Sequence, residues 1–259
     1  MRWAACIEYD GSAYSGWQSQ PHAPSVQDSL EAALSKVADE PIRTVCSGRT
    51  DSGVHAQGQI VHFDTRAERR DRSWLLGTNR WLADDIAPQW FVRVPETFHA
   101  RFNAVARDYR YWIIDRDAPS ALWRNRVWHV HKRLDHDAMH RAAQTLVGRH
   151  DFSAFRAAGC QAKSPVRNMH HVTVTRLGDW VRIDVRANAF LHHMVRNIAG
   201  TLAVIGRGEA DPGWIGELLD QRDRRRAGMT APAAGLSLRR VHYPDDIQLP
   251  QPPLDDAGW

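Results

Sequence analysis

The run HHVTVTRLGDWVRIDVRA, residues 170–187, restricts the possible folds of this chain more than any other stretch. Val181, Ile183 and Val185 alternate with Arg182, Asp184 and Arg186. Successive side chains on a strand point to opposite faces, so the pattern describes a strand with one apolar and one charged face. HHVTVTRL before it is strand-like too, and only Gly178 and Asp179 separate the two. A two-residue turn of that composition joins antiparallel neighbours. An antiparallel sheet with one face to bury follows, and other segments must cover that face.

Helical segments alternate with further strands in the right order to do so. In the first half, WAACIEYD (Trp3 to Asp10) alternates as a strand. SVQDSLEAALSKVADE then opens with Ser25 and Asp28, resembling a capping box, and Leu30, Ala33, Leu34 and Val37 mark one helical face. IRTVCS (Ile42 to Ser47) and QIVHFDT (Gln59 to Thr65) read as strands, SWLLGTNRWLA as a helix and QWFVRV (Gln89 to Val94) as a strand. In the second half, RDYRYWIID (Arg107 to Asp115) is a strand, with RVWHVH as an added one. Asp135 caps a helix with apolar residues Met139, Ala142, Ala143 and Leu146. After the hairpin come helices in HHMVRNIAGTLAVIG (His192 to Gly206) and PGWIGELLD, then the strand LSLRRVHY. Each half reads β-α-β-β-α-β, the split βαβ order. The expected fold is α+β: two pseudo-symmetric ferredoxin-like halves, 1–104 and 105–259, forming a mixed, mainly antiparallel sheet with helices on one side. A cleft between the halves is the expected ligand site. The Pro-rich tail PDDIQLPQPPLDDAGW is expected to be extended.

A chain of 259 residues is long enough for two such halves, and 43% hydrophobic with 25% charged residues suits an ordinary globular protein. MRWAACIEYDG turns acidic early and lacks an apolar core, so no secretory signal is expected. Cys6, Cys46 and Cys160 are odd in number and form no CxxC pair, which points to a reducing cytoplasm rather than a disulfide framework or zinc ribbon. The net charge is +4, compatible with a polyanionic partner. Lys occurs only at Lys36, Lys132 and Lys163; the other cations are Arg, which suits bidentate phosphate contact and stacking on bases. A bias in genomic base composition would produce the same usage.

Chemistry concentrates in a few places. GRTDSGVHA, residues 48–56, places Asp51 in a loop bracketed by Gly48, Gly53 and Gly58. Such an acid is either a turn residue or a reactive carboxylate. Tyr109 and Tyr111 share one face of a strand, as core or as a stacking platform for a base. Arg196 points between Ala199, Gly200 and Ala203 on its helix; it either snorkels to water or needs a buried anion. FHARF (Phe98, His99, Ala100, Arg101, Phe102) interleaves aromatic and basic residues, and RAERRDR (66–72) and RDRRR (222–226) are basic runs that fit a phosphate track. His129 and His131 form an HxH without further ligands, and the adjacent pairs His170–His171 and His192–His193 are expected to point to different faces, so no metal site is expected.

Taken together, GRTDSGVHA, FHARF, RDYRY and HHMVRNIAG closely resemble the motifs of the bacterial tRNA pseudouridine synthase A family, and the likeness runs from IEYDGSAYSGWQ through SVQDSLEAAL to LSLRRVHYP. The family's usual loop is GRTDAGVHA, with Ala where this chain has Ser52, and Asp108 stands where a basic residue is common, which is expected to weaken RNA contact slightly. The resemblance implies an isomerase that converts uridine to pseudouridine at positions 38–40 of the tRNA anticodon stem-loop, working as a homodimer with no metal or cofactor. It implies that Asp51 is catalytic, that Tyr109 packs on the target base, that Arg196 pairs with the aspartate, and that Arg49 contacts RNA near the flipped base. Phe98, His99, Ala100, Arg101 and Phe102, with Gly159, Cys160, Gln161, Ala162 and Lys163, are the implied RNA-binding residues. Chemistry agrees: a carboxylate can attack C1′ of the ribose or remove a proton from the sugar, and a nearby Arg favours its charged form. Two other readings stay open, a non-catalytic tRNA-binding protein and a metal-dependent hydrolase built on His129 and His131.

Overall fold

The computed structural model describes residues 1–251. The part of the Pro-rich tail after Gln251 lies outside them. Two compact units are present. The first holds Met1–Val105 together with the chain from Ser237 on, and the second is Ala106–Leu236. The final strand therefore groups with the first unit rather than with the second half, where chain order had put it.

In the first unit the strands are β1 (Arg2–Tyr9), β2 (Thr44–Cys46), β3 (His55–Asp64), β4 (Ile86–Val94) and β10 (Leu236–His242), with helices α1 (Val26–Ala38) and α2 (Asp71–Trp81). β1 lies antiparallel between β4 and β3, and β2 is antiparallel to β3. The order β4-β1-β3-β2 is that of the split βαβ fold, as chain order suggested. β1 takes one edge of β3; the other edge is shared by β2, opposite Val61 to Phe63, and by β10, which pairs in parallel at Ser237↔His55 and Leu238↔Ala56. One face of this sheet packs under α2 through Trp3, Phe63, Trp74 and Phe91, whose rings meet at centroid distances of 5.2 to 6.3 Å. Each side chain of that size stabilises the fold by roughly 1.5–3 kcal/mol when fully buried.

α1 starts as its capping box dictates: the Asp28 amide donates to Ser25 Oγ at 3.0 Å, and that hydroxyl donates to the Asp28 carboxylate at 2.6 Å. Leu30, Ala33 and Leu34 are buried as expected, but Val37 is half-buried and Glu31 is buried instead. Glu31 is satisfied by the Thr44 amide and hydroxyl, Gln27 and Arg43, which ties β2 to the helix.

The second unit contains β5 (Ala106–Asp115), β6 (Trp128–Val130), α3 (His136–Gln144), β7 (Gly148–Asp151), β8 (Val166–Leu177), β9 (Trp180–Ala187), α4 (Met194–Gly206) and α5 (Trp214–Gln221). Antiparallel pairing gives the order β5-β9-β8-β7, and β6 adds in parallel to β5. The 170–187 hairpin forms with Leu177 opposite Trp180 across Gly178–Asp179. Val181, Ile183 and Val185 are buried, and the charged face forms a cross-strand ladder, Asp108↔Arg186 and Arg110↔Asp184. The Asp135 carboxylate caps α3 through the Ala138 amide. Asp115, at the end of β5, is fully buried and paired bidentately with Arg176 at 2.9 and 2.6 Å, and also accepts the Leu134 amide. No helix among the described residues is long and apolar enough to cross a membrane.

Candidate active site

Asp51 sits, half-buried, in the loop between β2 and β3, and β3 begins at His55, so the end of GRTDSGVHA is already strand. The loop's shape comes from its neighbours in the first unit. Tyr9 Oη and Thr50 Oγ1 are hydrogen-bonded at 2.8 Å, the Trp17 amide donates to the Thr50 carbonyl, and the Gly53 amide and Ser52 hydroxyl donate to the Tyr14 carbonyl. The Gly11 amide donates to Nδ1 of His55 at 3.1 Å. On the other side Gln59 donates to the Gly48 carbonyl at 2.6 Å and accepts from Ser47. Tyr14 is itself fixed by donating to Asp85 at 2.7 Å; burial and that carboxylate push its phenol up to about 12. Asp85 thus anchors the cradle. Ser52 adds one bond to it where the resembled family has Ala.

The cradle segment YDGSAYSGW (9–17) follows directly from β1 and has no strand or helix periodicity of its own beyond Tyr9. Its Gly residues are the signal that could have revealed it. A Cβ on Gly11 would collide with the Val54 carbonyl. Gly16 has φ +97°, and a Cβ there would lie 2.7 Å from the Thr50 carbonyl oxygen. Gly16→Ala should destabilise the chain by about 1–3 kcal/mol, from left-handed backbone strain and the clash. Because the displaced atoms belong to Thr50 and Asp51, turnover should fall further than the unfolded fraction explains. Thermal denaturation beside steady-state kinetics checks both.

FHARF follows β4 in the same unit. Phe98 and Ala100 are buried, His99 is half-buried, and Arg101 and Phe102 are exposed, Phe102 at 75%. The His99 ring stacks on Phe102 at 4.2 Å, and the Arg101 guanidinium lies 5.8 Å from the Phe102 ring centre. Burial pushes the Cys46 thiol up to about 11, and both Arg49 and Arg101 oppose that shift.

In the second unit the two tyrosines part ways. Tyr111 is fully buried, donates to the Pro232 carbonyl at 2.8 Å, and has a phenol pushed well above its usual range by burial, with Arg196 opposing. It is core. Tyr109 is half-buried, edge-on to Phe190 at 5.0 Å, on the same strand face. Arg196 lies in the first turn of α4 with its Nε donating to the Ala231 carbonyl at 2.7 Å, while its own carbonyl accepts the Ala231 amide. The small residues beside it admit backbone: a Cβ on Gly200 would strike the Met229 carbonyl. Asn197 and Thr201, both buried, complete that contact. Asn197 donates to the Phe155 carbonyl and accepts from Arg224 and Thr230, and Thr201 accepts the Gly228 amide. Arg224 is thus committed to the fold. Elsewhere in the two basic runs, Arg66 pairs with Glu40 and Arg225 with Asp223. The runs are not uniform phosphate tracks.

Gly159–Lys163 lies in the loop before β8 and meets His192, which leads into α4. Arg156 donates to the carbonyls of Cys160 and Ala162, and the His192 amide donates to Cys160 Sγ at 3.4 Å. α4 begins at Met194, two residues later than its pattern suggested, because His193 is left-handed with φ 59°. The backbone turn brings the His192 and His193 rings to 4.0 Å rather than sending them to opposite faces. His129 and His131 each bond to a backbone carbonyl, of Arg116 and Asp117. Asp108 is held bidentately by Arg186 at 2.5 and 2.8 Å, so this acid is matched by its cross-strand partner.

The family model described as tRNA pseudouridine synthase matches residues 5–103 and 142–244. Those spans contain the Asp51 loop with its cradle, FHARF, Gly159–Lys163 and Arg196. Proteins named tRNA pseudouridine synthase A are similar over nearly the full chain. One from Pseudoalteromonas atlantica is 55% identical over 251 residues, 97% of this chain and 95% of that one. One from Hydrogenovibrio crunogenus is 54% identical over 98% and 97%, and one from Aliivibrio salmonicida 52% over 98% and 97%. Among solved structures, a chain from a Cbf5-Nop10-Gar1 complex matches with a TM-score of 0.36 and 11% identity, over 93% of this chain and 59% of that one. With the sequence likeness unbroken across both units, the chain belongs to the tRNA pseudouridine synthase family.

Proposed function

We propose that this chain isomerises uridine to pseudouridine in the anticodon stem-loop of tRNA in the cytoplasm, acting as a homodimer. The observation that carries the reading is the match of the family model across the segments holding Asp51 and Arg196. The reaction breaks the N1–C1′ bond, turns the uracil and forms C5–C1′; the proton lost from C5 is balanced by one gained at N1. Substrate and product are isomers, so the balance needs no external reactant.

Asp51 is the reacting carboxylate, at C1′ as a nucleophile or at the sugar as a base. The cradle of Tyr9, Tyr14 and Trp17 holds its loop, and positioning of this kind lowers the cost of reaching reactive geometry. Tyr109 packs against the target base and offsets the cost of removing it from its stack. Arg196 supplies the cation that pairs with the reacting carboxylate. Arg49, FHARF and Gly159–Lys163 contact the RNA. Asp108 and Arg186 neutralise each other and take little part.

Nucleoside mass spectrometry of tRNA incubated with the purified chain tests the reaction. Conversion of anticodon stem-loop uridines is the expected result. Bound tRNA with unchanged uridines would reduce the chain to a carrier, and activity lost to a chelator would return the metal hydrolase. Arg196→Met should lower kcat about 10²-fold or more, the usual cost of removing a fixed charge stabilising a reacting group, with tRNA affinity largely kept. Full activity in that variant would remove Arg196 from the reaction.

A further inference from the structure

His62 lies near the end of β3 on the face opposite Phe63, away from α2. Its ring is 5% exposed. Nδ1 accepts the Ala100 amide at 3.1 Å, inside the FHARF turn. The carbonyl of the same residue, Ala100, accepts the Tyr243 hydroxyl at 2.7 Å. Both polar backbone groups of one fully buried residue are thus held by side chains from two strands' ends, β3 and the exit of β10. Around it, the rings of His62 and His99 meet edge to face at 4.8 Å, Tyr243 packs on Phe98 at 5.3 Å, and Arg2 donates to the Glu96 and Phe98 carbonyls.

We infer that His62 and Tyr243 are positioning residues that grip Ala100 and thereby set the direction of the exposed Arg101 and Phe102. Ala100 is the pivot because it is the last buried residue before them. A buried amide or carbonyl left unpaired is costly, so the turn has one arrangement as long as both grips hold. The acceptor role needs a neutral imidazole. Burial, with Arg2 and His99 nearby and Asp64 opposing, pushes the His62 pKa down to about 4, which leaves Nδ1 available in the neutral range. His99 extends the device: its Nδ1 accepts the amides of Arg101 and Phe102, both at 3.2 Å, so the platform is tied to its own base.

The inference rests on the reading of Phe98–Phe102 as an RNA-contacting segment, and the experiment separates the two. Steady-state kinetics on tRNA are measured for His62→Phe, His62→Asn, Tyr243→Phe and Arg101→Ala, with a thermal midpoint for each. His62→Phe keeps an aromatic ring but no acceptor, and should raise KM about tenfold with kcat within about twofold. His62→Asn places an oxygen near the position of Nδ1 and should return KM to within about threefold of the parent. Tyr243→Phe removes one hydroxyl without changing the packing and should raise KM about threefold or more; it decides the matter if His62→Phe does not fold. Folded variants with unchanged KM, or a lowered midpoint as the sole effect, while Arg101→Ala does raise KM, would show that the grip is merely structural. An unchanged KM in Arg101→Ala would remove the RNA contact itself, and the positioning role with it.

Discussion

Asp51→Asn should yield a folded chain that binds tRNA with near-parental affinity and forms pseudouridine at least about 10³-fold more slowly, a loss of about 4 kcal/mol of transition-state stabilisation. The amide keeps the shape of the carboxylate and can still accept a hydrogen bond, but it neither attacks C1′ nor removes a proton at neutral pH. The loop should survive the change, since its frame is made by other residues: Thr50 with Tyr9 and Trp17, Gly53 and Ser52 with Tyr14, Gly48 with Gln59. The Asp51 carbonyl, untouched by the substitution, also closes the turn to the Val54 amide. Single-turnover assays on saturating enzyme separate chemistry from binding, and filter binding gives the affinity. Ordinary pseudouridine yield would overturn the assignment of Asp51.

The largest effect on stability is expected from Asp115→Ala. The Asp115 carboxylate is fully buried and accepts two bonds from Arg176 and one from the Leu134 amide, with Arg133 at 3.5 Å. Its hydrogen bonds hold the Arg176 guanidinium above its usual range. Truncating one partner of such a pair leaves a desolvated cation and an unpaired amide, at a cost of about 3–5 kcal/mol. For a chain of this size that lowers the thermal midpoint by roughly 10 °C. The Arg225–Asp223 pair, with Arg225 exposed and Asp223 half-buried, is the control: Asp223→Asn keeps an acceptor for the Arg225 amide and should move the midpoint far less than Asp115→Ala. A loss below about 1 kcal/mol for Asp115→Ala would mean that the pair is not structurally important. Activity measured well below the midpoint should be kept, since Asp115 lies at the far end of the strand from Tyr109.

What the sequence made legible was what local patterns encode. The hairpin announced itself through alternation and a two-residue turn, and α1 and α3 through Ser25 and Asp135. Elements fixed by distant partners were hidden. β7, GRHD, has no apolar alternation and exists because it pairs with β8. The early start of β3 at His55 depends on β10, nearly two hundred residues later. Asp51 and the FHARF residues stood out by type and spacing, and Arg49 through the resemblance to the family's motif. Their supports Tyr14, Gly16 and Gln59 did not, nor did Asn197 and Thr201 beside Arg196; all look ordinary until the groups they satisfy are known. The partner of Asp108 was hidden for the same reason, because Arg186 sits on another strand.

β10 also orders events during synthesis. The ribosome completes all of residues 106–236 before Ser237 and Leu238 emerge to pair with His55 and Ala56. The nascent first unit therefore waits, with the edge of β3 beside the Asp51 loop unpaired, until the whole of residues 106–236 has been made. A chain that stops short of Ser237 would carry every proposed reacting residue and still lack the strand that braces the exit of the Asp51 loop.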